Sequence, residues 1–409
     1  MMDSPEARGL SLTPWLFGRQ GLGLLAFVTA VAATFLATDV AYLAGALLLV
    51  GLGARAWARL AFAGVAYTRK PSRTRAFRDD EIVLESSLAN PRVLPLPWIE
   101  VWEQLPSALQ PEGPAERSFT HPDRQWTSRG VALWPYQRLR WRRRLRCVRR
   151  GVYTLGQINL RSGDPFSFFE SQRILTDRQQ VMVYPRVVPL RRLGLPLHHP
   201  SLDVVSPSSP VTDPTRTATV REYRPDDPQR MIHWATTARR GSLQVRVLEP
   251  ATSLHVSLLL DVRGFGLGSI QDELFELTLS ALASTGIFLQ SQSAPIAFLA
   301  NTDPPLAIPP GASVPHLQQV LESMARMRPV SGPALVPWAL GELPRGDTAI
   351  LAVSEVAPDL HHTIARLEEA GFHVVLLLAT NGDRTPLGRQ GTITLTPGCD
   401  LAARLEGRG

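Results

Sequence analysis

The sequence predicts a multidomain chain: a two-helix transmembrane hairpin, a strand-rich unit and a doubly wound α/β unit. Three observations carry this reading. Two apolar stretches, residues 15–37 and 40–57, each approach the ~20 residues a helix needs to cross hydrocarbon. Residues 77–190 hold short alternating runs punctuated by prolines, the period-two mark of strands. From Leu254 onward, strand-like and helix-like runs alternate, which yields a mostly parallel sheet covered on both faces.

Only Thr38 and Asp39 separate the two apolar stretches, so they read as one tight hairpin. Gly21, Gly23, Gly45, Gly51 and Gly53 allow close backbone approach, and Arg19 can snorkel to the interface. A cleaved signal peptide would leave the second stretch unexplained. Arg8 and Arg19 precede the hairpin, and Arg55, Arg59, Arg69, Lys70, Arg73, Arg75 and Arg78 follow it. The connecting turn carries no positive charge. The positive-inside rule therefore predicts an inner-membrane protein with both ends and all soluble parts in the cytoplasm. The expected domains are the hairpin (1–60), the strand-rich unit (77–190), a linker (191–218) and the α/β unit with its leading segment (219–400).

Composition narrows the partners. The 409 residues suit two or three units. Two cysteines, Cys147 and Cys399, exclude a disulfide-rich scaffold and a four-cysteine zinc site, and fit a reducing compartment. Thirty-five prolines argue against an all-helical fold. A net charge of +7, carried by arginine because Lys70 is the only lysine, implies anionic neighbours such as phospholipid, nucleic acid or an acidic partner.

Within the strand-rich unit, residues 107–128 are polar and loop-like, and residues 138–150 are the most basic run. Arg138, Arg140, Arg142, Arg144 and Arg146 share one parity. Leu139, Trp141, Leu145 and Cys147 share the other, with Arg143 as the exception. Period two predicts a strand with one buried face and one arginine face. That face suits headgroups or a partner. An anion or nucleic-acid binder is the alternative, although no nucleic-acid module surrounds the run.

In the α/β unit, strands are expected at 254–262, 294–300, 348–353 and 373–379, with a short one around Leu306. Helices are expected at 270–290, 314–327 and 360–370. Residues after Thr396 read as a tail.

The segment from Val220 to Gly241 reads as a strand, a turn and a capped helix. Asp227 suits the N-cap and Pro228 the first helical position. Arg239 and Arg240 fall in the last turn, where the dipole favours cations, and Gly241 suits the end. Met231, Trp234, Ala235 and Ala238 follow the helical repeat and are expected to form a buried stripe, with Arg230, His233 and Thr237 opposite.

This segment resembles the signature of the bacterial family called domain of unknown function 58. Arg221, Glu222, Tyr223, Asp227, Arg230, Ile232, His233, Trp234, Ala238, Arg239 and Gly241 match it, while Asp226 stands where the family usually has glycine. A second match runs through Arg150-Gly-Val-Tyr-Thr-Leu-Gly, Asp164-Pro-Phe-Ser-Phe-Phe and Val183-Tyr-Pro-Arg. The resemblance implies a membrane-anchored protein with a β-sandwich and a von Willebrand A-like domain. It also implies a MoxR-type AAA ATPase and other membrane proteins as partners.

Candidate chemistry is sparse. Von Willebrand A-like domains can hold a divalent metal through D-x-S-x-S, but Asp261-Val-Arg-Gly-Phe puts Arg263 and Phe265 at the serine positions. No metal or other cofactor is therefore expected. The glycines at 264, 266 and 268 lack dinucleotide spacing and read as a turn. His198-His199 and His361-His362 are adjacent pairs, which do not share a face. The leading expectation is a non-enzymatic scaffold whose signature residues form a polar network or dock a partner. The alternative is a hydrolase using Arg221–Gly241, with His233 as base.

Overall fold

A computed structural model describes residues 18–34, 38–118, 121–195, 212–224, 229–250, 256–266, 268–329, 333–343, 348–355, 359–382 and 391–408. The chain divides into two compact units: Met1–Val187 with Leu321–Met327, and Val188–Val320 with Arg328–Gly409.

The first unit begins with two helices, α1 (Arg19–Thr34) and α2 (Thr38–Leu60). They pack together, and a methyl placed on Gly45 would sit 3.6 Å from Thr29 Cγ2. The buried positions of α2 are Ala44, Gly51, Ala54 and Ala58, one face of small residues. Outward positions expose Phe27 on α1 and Tyr42, Leu43 and Leu49 on α2. The 23 residues of α2 are long and apolar enough to cross a membrane. The 16 of α1 fall short of a full crossing over the described residues.

Twelve strands follow: β1 (Ala66–Pro71), β2 (Arg75–Phe77), β3 (Glu81–Ala89), β4 (Leu96–Pro106), β5 (Leu109–Pro111), β6 (Glu116–Arg117), β7 (Arg124–Leu133), β8 (Arg138–Cys147), β9 (Gly151–Thr154), β10 (Ile158–Gly163), β11 (Glu170–Leu175) and β12 (Gln180–Tyr184). They form sheets in the orders β1-β3-β8-β5, β11-β10-β4-β7-β6 and β2-β12-β9. Residues 107–128 are therefore not all loop, since β5, β6 and the start of β7 lie there. Inward positions of the first two sheets share a core of Leu88, Ile99, Val101, Leu133, Trp141 and Leu160. Ala61 and Val65, just past α2, belong to the same core, so the helix runs directly into the sandwich. Strand β8 alternates as its sequence predicts: Arg138, Arg140, Arg142, Arg144 and Arg146 are exposed, while Trp141, Leu145 and Cys147 are buried.

The second unit holds a two-stranded ladder of β13 (Thr212–Glu222) and β14 (Gln244–Pro250), with α3 (Trp234–Arg240) between them. Its main body comprises β15 (Val256–Leu260), α4 (Ser269–Ser291), β16 (Ile296–Ala300), β17 (Leu306–Gly311), the start of α5 (Val314–Arg326, assigned to the first unit from Leu321 onward), α6 (Leu335–Glu342), β18 (Thr348–Ser354), α7 (Leu360–Glu369), β19 (His373–Ala379), β20 (Thr392–Leu395) and α8 (Leu401–Leu405). The sheet order is β17-β16-β15-β18-β19-β20. All neighbours are parallel except the edge strand β17. Every residue of β15, β16 and β18 is buried, as expected for strands covered on both faces.

The end of the chain differs from the expected tail. Asp400 caps α8 by accepting from the backbone N–H groups of Ala402 and Ala403, and Leu401 and Leu405 are buried. Glu406 accepts from the Arg191 N–H at 2.8 Å, and Leu405 O accepts from the Gly194 N–H at 2.8 Å. Residues 191–195, read as linker, are thus fastened to α8, and 196–211 lie outside the described residues.

Candidate functional site

In an open α/β sheet, ligands sit beyond the carboxyl ends of the strands where the winding reverses. Here the chain passes from β15 to β16 on one side and returns to β18 on the other. Asp261 follows β15, Asn301 follows β16 and Glu355 follows β18. The Asp261 carboxylate is 2% exposed and fully engaged. Its Oδ1 accepts from Arg263 N, Arg263 Nε and Asn301 Nδ2 at 2.8–3.0 Å, and its Oδ2 accepts from Arg263 Nη2 at 2.7 Å. Asn301 also accepts from the Val262 N–H and donates to the Pro333 carbonyl. The bonded Asp261 carboxylate raises Arg263 above the usual arginine value, against the opposing effect of burial. Arg263 thus engages both carboxylate oxygens of Asp261. A positive φ at Gly264 turns the chain, and Gly268 caps α4. No group of three His, Cys, Asp or Glu side chains arranged for a metal occurs among the described residues.

The signature segment is built differently from its sequence pattern. Helix α3 is only seven residues long and starts at Trp234, after a 3₁₀ turn at Gln229–Met231. His233 is its N-cap: Nδ1 accepts from the Thr236 N–H at 3.2 Å. Asp227, expected as the cap, lies outside the described residues, as do Pro228 and the side chain of Arg230. The buried stripe is overturned. Trp234 is 68% exposed, Ala235 and Ala238 are exposed, and α3 has no buried residue. Ile232 is the buried apolar residue here, and it bridges to Val245 on β14. With Met231 in the turn before the helix, the expected stripe loses its first position.

The remaining signature residues border the ladder. Arg221 and Tyr223 are half-buried, Glu222 is exposed, and Arg221 donates to the Glu222 carbonyl. Arg239 is exposed on the last turn, and Gly241 ends the helix at φ 71°, a left-handed conformation that favours glycine. Trp234 at the start of α3 and Arg239 and Arg240 in its last turn are all exposed, on different sides of the helix.

Sequence reading missed a polar cluster inside the sandwich. Arg143, the residue that broke the β8 alternation, points inward and pairs with Glu103 of the opposing sheet at 2.8 Å. Glu103 also accepts from Tyr67 at 2.5 Å and Ser86 at 3.1 Å, and Arg143 donates to Thr127. Burial, then the adjacent Glu103 carboxylate, pushes the Tyr67 phenol far above its usual range. The available signal was the parity break itself: an arginine at an inward position needs an inward acid.

Comparison with known proteins places part of the chain. The family model described as "Protein of unknown function DUF58" matches residues 219–387. An uncharacterized protein of Bacillus subtilis (strain 168), YeaD, is 25% identical over 199 residues, 47% of this chain and 47% of that protein. The match spans about half the length of that relative. Among solved structures, a cohesin module from Clostridium perfringens covers 29% of this chain and 96% of its own, at 10% identity and TM-score 0.21. A CARDB domain from Pyrococcus furiosus covers 29% and 91%, at 14% identity and TM-score 0.20.

Proposed function

We propose that this chain, whose residues 219–387 belong to the DUF58 family, is a membrane-anchored, non-enzymatic scaffold that docks cytoplasmic partners. The carrying observation is Trp234. A tryptophan 68% exposed at the start of a short helix, whose last turn also exposes Arg239 and Arg240, supplies residue types that dominate binding energy at protein interfaces. The acid at the sheet's switch point supports a non-catalytic reading, because Arg263 and Asn301 occupy both its oxygens.

The anchor is α2, with α1 packed on it as the second arm of the hairpin. Apolar side chains exposed on both helices support burial in lipid, and flanking arginines support a cytoplasmic location for both units. The α/β unit is read as von Willebrand A-like. That reading is supported by the first strand at the centre of the sheet, the antiparallel edge strand and Asp261 at the end of the first strand. The partner the family resemblance implies is a MoxR-type AAA ATPase.

The test is capture of that ATPase from native-host membranes by the full chain. Trp234→Ala should melt like the parent and lose most of the capture. Equal capture by parent and Trp234→Ala would overturn the docking face.

A further inference from the structure

Three loops leave the sandwich at the end where α2 enters it. The register places them there: Ala66, the first residue of β1, pairs with Ala89, and Ala89 pairs with Arg138. Leu96 pairs with Leu133, and Gly163 pairs with Glu170. The loops 90–95, 134–137 and 164–169 therefore share one end with the α2–β1 turn. Direct contacts agree. A methyl on Gly64 in that turn would meet Arg92 Nε at 3.0 Å, Ser171 Oγ donates to the Ala58 carbonyl at 2.7 Å, and Arg55 lies over the Phe169 ring at 5.8 Å.

These loops carry exposed apolar tips: Val93 at 69%, Trp134 at 66%, Tyr136 at 71% and Phe166 at 60%. Among the described residues of the sandwich, the only other exposed large apolar side chain is Ile174 on β11, at 41%. The asymmetry is not slack in the loops, which are tightly held. Asn90 Nδ2 donates to Leu94 O and Trp134 O, and Tyr136 N donates to Arg92 O. Asp164 is fully buried and accepts from the N–H groups of Phe166 and Phe169. Tyr136 holds φ 55°, an uncommon conformation for a residue with a side chain. Cations accompany the tips. Arg59, Arg92 and Arg138 are exposed and form no ion pair among the described residues. Glu170 is matched by Arg161 at 2.7 Å.

We infer that this end of the sandwich seats on the phospholipid interface. The Trp134, Tyr136 and Phe166 rings sit at headgroup depth and Arg59, Arg92 and Arg138 pair with lipid phosphates. The amphipathic Trp134 and Tyr136 rings favour that depth, the purely apolar Phe166 ring adds hydrocarbon contact, and arginine forks suit phosphate. The inference rests on the membrane reading of α2, which brings this end of the unit to the bilayer. It gives Asp164-Pro-Phe-Ser-Phe-Phe a role: the buried aspartate shapes a loop whose ring meets lipid.

The test uses the full chain with Cys399→Ser, reconstituted in phosphatidylethanolamine–phosphatidylglycerol vesicles that carry nitroxide lipids. Val93→Cys, Phe166→Cys, Leu49→Cys and Glu112→Cys are each labelled with a thiol fluorophore. Glu112 follows β5 in the far half of the sandwich, where its N–H donates to the Arg144 carbonyl. Labels at 93 and 166 should be quenched severalfold more than the label at 112. If position 49 is quenched while 93 and 166 behave like 112, the interface contact is wrong and the anchor stands. If 93 and 166 are quenched while 49 is not, the contact stands and the spanning helix is wrong. If none is quenched, both are wrong. Should one loop variant fail to fold, the other loop decides, because Val93 lies on the β3–β4 connection between the sheets and Phe166 on the β10–β11 hairpin.

Discussion

Arg143 and Arg142 are neighbours on one strand and should respond to alanine in opposite ways. Arg143 is 14% exposed and its partner Glu103 is 2% exposed, so Arg143→Ala leaves a carboxylate in the sandwich core without its counter-charge. Breaking a buried pair from one side costs about 3–5 kcal/mol. At ~2–4 °C per kcal/mol for a unit of roughly 150–250 residues, the melting temperature should fall by about 6–20 °C. Arg142 pairs with Glu85, but the two are 77% and 53% exposed, so water screens the pair. Arg142→Ala should cost about 0–1 kcal/mol. Glu103→Gln with Arg143→Met removes both buried charges and should melt above Arg143→Ala. Thermal melts of the full chain in detergent, followed by circular dichroism, make the comparison. The reasoning is refuted if Arg143→Ala melts like Arg142→Ala, or if the double variant melts below the single one.

Other outcomes follow from the same structure. Burial, reinforced by the Asp80 carboxylate, raises the Cys147 thiol from 9.0 to about 11. Iodoacetamide at pH 8 should therefore label the part-exposed Cys399 and spare Cys147 until the chain unfolds, as read by mass spectrometry. The same shift makes Cys147 favour folding fully below its unfolded pKa, and that contribution should fade as pH climbs from 9 toward 11 in alkaline melts. Mg²⁺ or Mn²⁺ should leave the melting temperature unchanged, because Arg263 and Asn301 saturate Asp261. A bound ion at a hundredfold excess over its dissociation constant would add about 2.7 kcal/mol. A rise abolished by Asp261→Ala would contradict that assignment.

Much of the layout was legible because it rests on short-range patterns. The alternation of β8 showed its arginine face, and the Leu258–Leu260 and Ile350–Val353 runs showed strands buried on both sides. Sheet order was not legible, since strand pairing joins residues far apart in sequence. Helix α8 was missed because five residues with two leucines give no periodicity, although Asp400 stood at its start as a cap signal. Trp234 misled for a related reason. Apolar spacing implies a buried stripe only where another element covers it, and α3 is too short and too open for that. Glu103, lying on an otherwise ordinary strand, gave no sign by itself. Only its pairing across the sheets with the off-parity Arg143 reveals the buried cluster.

A pair of reporter fusions after Gly409 tests the membrane-anchored, cytoplasmic placement most directly. One reporter is fluorescent only in the cytoplasm, and the other is active only outside the membrane. With arginines on both flanks of the helical pair and none in its turn, the chain should give a fluorescent first fusion that sediments with membranes, and a silent second one. An active external reporter, or a fluorescent fusion that stays soluble after membranes are removed, would contradict the account.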